Sequence, residues 1–298
     1  MSDQCIKRRL LFACRQTYGD AIPTAGGPVG WTAPPRAFKA KSALGSGMID
    51  RVLVGRVAEG IVVAFRGTLA PFNKADGHPP VEVALDWLNN VDMLSRTNGT
   101  YPGRVHKGFA GSVDRLWSKI EEAIRALLKP DRKDNRLFVT GHSKGGALAN
   151  LGAWRALSIK GLAGPIRVIT IAAARAGNED FRTAIEAHGG IDGLRYETPF
   201  DVVPLVPFGA DTPFWVKALV RKVWPNLLDN NYVPIGKRMP LKPSEADIVG
   251  ALERYAGWLI PGAKKSKYAP LLVQAHDIST GSGYDRLICL GEGGCKHA

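Results

Sequence analysis

Apolar residues fall into two rhythms along this chain: short continuous runs bounded by glycine or proline, and longer stretches with helical spacing. The stretch "MIDRVLVGRVAEGIVVAFRG" (48–67) carries two β-rich runs separated by Ala58-Glu59-Gly60, which predicts a hairpin. In "SVDRLWSKIEEAIRALLKP" (112–130), Val113, Leu116, Ile120, Ile124, Leu127 and Leu128 share one helical face, and Pro130 stops the helix. "RLFVTG" (136–141) then reads as a buried strand, "GGALANLGAWRALSIKG" (145–161) as a helix and "IRVITIAAAR" (166–175) as another buried strand. Strand, helix and strand in that order, with apolar runs in both strands, predict a parallel βαβ unit and hence an α/β fold.

The flanks are less regular. "MSDQCIKRRLLFACRQTYGD" (1–20) predicts an N-terminal helix, and "GDAIPTAGGPVGWTAPPRAF" (19–38) an irregular connection rich in Gly and Pro. "GLRYETPFDVVPLVP" (193–207) reads as a strand that ends near Asp201, after which prolines break regular structure. Within 209–270 only "DIVGALERYAGWLI" looks helical, and "HDISTGSGYDRLICL" (276–290) is a loop followed by an element of either type. Neither a repeat nor a linker divides the chain, so one domain over residues 1–298 is expected.

With 45% hydrophobic and 22% charged residues the chain can bury a core, which excludes a disordered protein. Lys7, Arg8 and Arg9 precede an apolar run of only Leu10–Cys14, too short for the export-signal core of about 7–15 residues. No apolar run approaches the roughly 18–20 residues of a membrane span. The expected location is therefore the cytoplasm, or outside by a non-classical route. Cys5, Cys14, Cys289 and Cys295 show neither a CxxC pair nor nearby histidines at ligand spacing. Reduced thiols are expected, with a disulfide at either end as the alternative. The net charge of +13 suggests an anionic partner, yet the basic residues are scattered and no zinc-finger, RRM or homeodomain signature organises them. Nucleic acid is not expected. An anionic lipid surface fits, as does a basic surface that binds nothing.

The chemistry gathers at "VTGHSKGGALANL" (139–151), where Ser143 stands between two glycines, after a strand and before a helix. G-x-S-x-G in that setting predicts a nucleophile elbow, a tight strained turn that presents the serine hydroxyl at the sheet edge. The competing reading is a glycine-rich helix N-terminus that binds an anion. A serine hydroxyl needs a histidine to take its proton and a carboxylate to orient that histidine. In α/β-hydrolases these follow the serine in the order acid, histidine. His188 precedes the best acid and His297 is the penultimate residue, which leaves His276. Asp201, at a strand end, is preferred to Asp192 and Asp211. Each of the two could instead be a capping or surface residue. The oxyanion that forms needs preorganised donors: the backbone N–H of Lys144, after the nucleophile, and Thr68, which ends "VVAFRGT". Thr68 could otherwise cap a helix. His106 and His142 are expected to be structural, each satisfying a buried hydrogen bond.

"VVAFRGT", "DWLNNVDM", "VHKGF", "VTGHSKGGALANL", "VITIAAAR" and "FDVVPLVP", in that order over residues 50–208, resemble the class 3 lipases, a fungal-lipase-like branch of the α/β-hydrolases. The resemblance implies an α/β-hydrolase fold with a mostly parallel central sheet flanked by helices, a triad of Ser143, Asp201 and His276, and an oxyanion hole from Thr68 and Lys144. It implies carboxylic-ester hydrolysis through an acyl-enzyme, with acylglycerols or related lipid esters as substrates and neither metal nor cofactor. It also implies a lid, which residues 69–85 match; an ordinary surface loop is the alternative for this stretch. Lys144 departs from the family, which usually has leucine there. Its backbone donor survives the change; an ammonium near the site mouth, favouring anionic substrates, is the minority reading of its side chain. "PFWVKALVRKVW" (213–224) alternates basic and large apolar residues; such a segment is more often a core-packing helix, with contact to an anionic membrane as the alternative. The alternatives to a lipase are a phospholipase A-type hydrolase of anionic lipids and a lipid-binding module without turnover; oligomeric state has no signature in the sequence.

Overall fold

Because the apolar runs have no polar alternate positions, their strands must be covered on both faces, and the fold supplies that cover. A computed structural model of the chain describes residues 3–41, 49–68, 95–96, 99–198, 201, 203–214, 217, 231–241, 276, 278, 284 and 288. In chain order its elements are α1 (Asp3–Tyr18), β1 (Arg36–Lys41), β2 (Ile49–Val57), β3 (Gly60–Phe65), β4 (Ser95–Arg96), β5 (Val105–His106), α2 (Lys107–Ala126) and β6 (Leu137–His142). There follow α3 (Lys144–Ala156), β7 (Ile166–Ile171), β8 (Gly177–Asn178), α4 (Glu179–Ala187), β9 (Ile191–Glu197), β10 (Tyr232–Val233) and β11 (Lys237–Pro240).

The main sheet has the order β1-β2-β3-β6-β7-β9-β11. The β1–β2 and β2–β3 pairs are antiparallel, and every pair from β3 to β11 is parallel. Alternate residues feed separate cores: Ile61, Val63, Phe65, Leu137, Val139 and Val168 pack toward α2 and α3. Val62, Ala64, Phe138, Ile169 and Ile171 pack toward Leu10, Leu11 and Cys14 of α1 on the other side, together with Ile278 and Tyr284. β4, β5, β8 and β10 make a smaller antiparallel sheet.

The hairpin, the βαβ unit and the N-terminal helix stand where the sequence predicts them, with shifted ends. Helix α2 starts at Lys107 rather than Ser112, because His106 caps it: Nδ1 accepts the Phe109 N–H at 3.3 Å, and the His106 ring stacks on Phe109. It stops at Ala126, and Leu127 and Leu128 pack on the core from the turn beyond. Edge strand β1 arises in "RAFKAK", whose start was read as irregular; Lys39 and Lys41 place charge on this edge, which hinders further pairing. Strand β9 begins at Ile191, so Asp192 lies inside it, paired with Arg167, and Asp201 stands beyond its end rather than on it. Cys14 is a free, buried thiol against the Thr140 hydroxyl. The lid candidate 69–85 lies outside the described residues, as does most of 209–270, including nearly all of "PFWVKALVRKVW". Among the described residues no helix is long and apolar enough to cross a membrane.

Candidate active site

Since β3, β6 and β9 run parallel, their C-terminal ends meet one edge of the sheet, the edge at which open α/β folds place their chemistry. Thr68 follows β3, Ser143 follows β6 and Asp201 follows β9.

At the first residue past β6 the chain reverses into α3. Ser143 adopts φ 60°, ψ −130°, a conformation that costs a non-glycine residue on the order of 1–3 kcal/mol and persists only when its surroundings impose it. They do: the Ser143 N–H donates to the Ile171 carbonyl at 3.0 Å, and the Ser143 carbonyl accepts from Gly146 and Ala174 at 2.9 and 3.2 Å. The serine itself, not its flanking glycines, carries the positive φ. The glycines serve by close approach. A Cβ on Gly141 would land on the Gly145 carbonyl, and one on Gly145 would land on the Phe65 carbonyl of β3. Gly67 is pressed in the same way: a Cβ there would lie 2.7 Å from the His142 carbonyl oxygen and 3.1 Å from the Ser143 Cβ. The half-buried Thr68 is therefore carried alongside the serine by its neighbour.

His276 and Asp201, 75 residues apart, meet through Nδ1 and Oδ2 at 2.8 Å. The Asp201 carboxylate is 4% exposed and fully engaged. Its Oδ1 accepts the Val203 N–H at 2.9 Å, and its Oδ2 also accepts the Tyr284 hydroxyl at 2.8 Å. With Nδ1–H donating to the carboxylate, Nε2 of the neutral ring is the acceptor nitrogen; it is buried and meets no hydrogen-bond partner among the described residues. The competing acid Asp211 binds Arg175, and His188 is an exposed residue at the end of α4.

The His142 ring, next to the serine, lies against the His276 ring with centroids 4.5 Å apart. Its Nε2 donates to the His276 carbonyl at 2.8 Å, so its Nδ1 accepts from the Tyr18 hydroxyl at 2.7 Å. His142 is thus structural, as expected, and it ties α1 to the backbone of His276. Burial, with His276 adding to it, holds the His142 ring well below the ordinary value of 6.5. Below pH 6.5 the unfolded chain takes up a proton that the folded ring refuses. Stability is therefore unaffected above that pH and falls below it, with a slope of up to about 1.4 kcal/mol per pH unit. Thermal unfolding followed against pH should show a shallower acid limb in His142→Gln, by about one proton; an unchanged limb would assign the acid loss to other groups.

The Lys144 side chain turns away from the site mouth. It is 2% exposed, and Nζ is 2.5 Å from Asp50 Oδ1 on β2, so the ammonium does not stand at the site mouth and cannot select anionic substrates there. Burial lowers its pKa, against the pull of the Asp50 charge. Its backbone N–H remains at the first position of α3, beside the serine. Sequence reasoning missed Tyr284, Tyr18 and Asp50. Tyr284 falls in the C-terminal stretch that has no readable periodicity, and the other two lie far from the motifs. Only the unusual lysine after the serine hinted at a buried acid.

A mostly parallel sheet with a strained serine at the turn into a helix, an acid on the loop beyond a parallel strand and a histidine bonded to that acid, defines an α/β-hydrolase. Within that class, the chain belongs to the class 3 lipase family, whose sequence profile matches residues 62–210, half of its length. It is 29% identical over 171 residues to phospholipase A1-II 4 of Oryza sativa subsp. japonica, covering 49% of this chain and 40% of that protein. The chain thus spans less than half the length of this curated relative. Among solved structures it resembles a triacylglycerol lipase whose catalytic centre is a serine-protease triad, with a TM-score of 0.56, 18% identity and 83% of each chain covered. The lipase from Rhizopus microsporus var. chinensis gives a TM-score of 0.53 at 20% identity, over 82% of this chain and 76% of that one. At these identities the structures speak for the fold.

Proposed function

We propose that the chain is a serine carboxylic-ester hydrolase that cleaves acylglycerols or related lipid esters through an acyl-enzyme. The observation that carries this reading is the Asp201–His276 contact of 2.8 Å, together with a serine held in the elbow conformation. His276 Nε2 takes the Ser143 Oγ proton as Oγ attacks the ester carbonyl, while Nδ1–H keeps its bond to Asp201. The carbonyl oxygen becomes an oxyanion held by the main-chain N–H groups of Thr68 and Lys144. Collapse of this intermediate expels the alcohol, which receives the proton from Nε2, and water then releases the acid by the same steps.

Phospholipase A-type activity is the second reading. It is favoured by the plant relatives, which carry the name phospholipase A1, and by the net charge of +13, which suits an anionic lipid surface. Phe214, 83% exposed at the start of "PFWVKALVRKVW", suits contact with lipid in either reading.

Initial rates on p-nitrophenyl esters with two- to sixteen-carbon chains, with Ser143→Ala as the blank, test the proposal. Serine-dependent rates should rise with chain length. Rates confined to short chains would instead make the protein a soluble esterase, and absent serine-dependent turnover would leave a lipid-binding module. Triacylglycerol emulsions compared with phosphatidylglycerol vesicles then separate lipase from phospholipase.

A further inference from the structure

The ion pair between Lys144 and Asp50 has no role in the chemistry just described, and its energetics run against its presence. Both side chains are essentially buried, at 2% and 0% exposure. A buried pair is generally no more stable than an apolar pair of the same volume, because desolvation offsets the attraction. Asp50 Oδ2 adds to the deficit, having no hydrogen-bond partner among the described residues. The lysine also opens α3, the end of a helix at which a positive charge is disfavoured. Burial alone would be met by the leucine usual in the family.

What the pair does have is position. Beyond Val52↔Phe65, the Arg66 N–H still donates to the Arg51 carbonyl at 2.9 Å, so the next step of the β2–β3 register sets Asp50 beside Gly67. Gly67 immediately precedes Thr68, and a Cβ on it would lie 3.1 Å from the Ser143 Cβ. Asp50 is thus rooted beside one oxyanion donor, and the lysine it holds is rooted at the other. Strand β3 ends at Phe65, so Thr68 lies beyond the main-chain ladder. Arg66, the third charge in this group, interacts with both partners and is itself mostly buried.

We propose that the Lys144–Asp50 ion pair is a positioning device that fixes the separation of the two oxyanion donors, the main-chain N–H groups of Thr68 and Lys144. The inference rests on the hydrolase reading above and adds to it a part played by the lysine side chain. Since an oxyanion must accept from both donors at about 2.7–3.1 Å, a small drift of Thr68 away from α3 weakens one bond in the transition state without altering the acyl site.

The test compares wild type, Ser143→Ala, the apolar double variant Lys144→Met with Asp50→Leu, and the near-isosteric Asp50→Asn. Each is measured for thermal unfolding and for kcat and KM on a p-nitrophenyl ester and on its thionoester, whose sulfur is a weak hydrogen-bond acceptor. The double variant should unfold at or above the wild-type midpoint and keep the wild-type KM. Its kcat on the oxygen ester should fall about 100-fold while the thionoester rate changes little. Asp50→Asn should move the same ratio in the same direction, and it carries the comparison alone should the double variant not fold. Wild-type kcat in folded variants, or equal losses on both substrates, overturns the positioning role and leaves the hydrolase reading standing. Absence of Ser143-dependent turnover in the wild type instead removes that reading, and this inference with it.

Discussion

Converting Asp201 to Asn is expected to lower kcat about 10⁴-fold with the fold intact, a loss approaching that of Ser143→Ala. The size follows from the partners of the carboxylate. Its Oδ1 accepts a main-chain N–H, that of Val203, which cannot reverse its polarity, whereas Oδ2 accepts from His276 Nδ1 and from the Tyr284 hydroxyl. An asparagine must keep its carbonyl toward Val203 and therefore turns its NH2 toward the histidine. Tyr284 can rotate its hydroxyl to accept, but His276 can accept only by moving its proton to Nε2, the nitrogen that takes the serine proton in the proposed mechanism. The imidazole is then held in the wrong tautomer. Steady-state rates on a p-nitrophenyl ester check this, and a variant within tenfold of wild type would remove Asp201 from the triad.

Gly141→Ala should be the most damaging single change in the elbow. The added methyl would land on the Gly145 carbonyl, main chain against main chain between β6 and the first turn of α3, so no rotamer relieves it. The helix must move away from the strand, at a cost on the order of 3 kcal/mol, and the fall in unfolding midpoint should be roughly 10 °C. Activity should fall further than stability alone explains, since the shift carries the Lys144 N–H away from Thr68. Gly189→Ala is the control: its Cβ would meet nothing within 4 Å, and only its positive φ, 68°, is strained. Equal midpoints for the two variants would show that the collision is relieved at no cost.

The elements that are legible in the sequence carry their signal locally. The runs of β3, β6 and β7 are rich in apolar residues because both faces of the sheet are covered, and α2 shows its core face in the spacing of Val113, Leu116, Ile120 and Ile124. The start of α2 was not legible, because it depends on a histidine cap rather than on Ser, Thr, Asp or Asn. Edge strand β1 was hidden for a related reason. Its residues are half-exposed and charged, and only pairing with β2 makes them a strand.

The same division runs through the candidate site. Ser143 is announced by its neighbours, since the glycines that permit the turn must stand within a few residues of it. Asp201 and His276 were reached by chain order and elimination, but their contact belongs to the packing that brings the C-terminal positions onto the α1 face of the sheet. Nothing local announces that Tyr284 donates to Asp201, that Tyr18 and His142 brace the backbone of His276, or that the Lys144 ammonium turns inward to Asp50. A side chain's direction follows from which elements close over it, and burial rather than residue type decides whether a lysine beside the nucleophile meets substrate or a carboxylate 94 positions away. The sequence by itself determined the class of fold and the strained turn at Ser143, because these rest on backbone geometry and periodicity. The tertiary structure alone decided which charges are buried together, because that depends on contacts between residues remote in the chain.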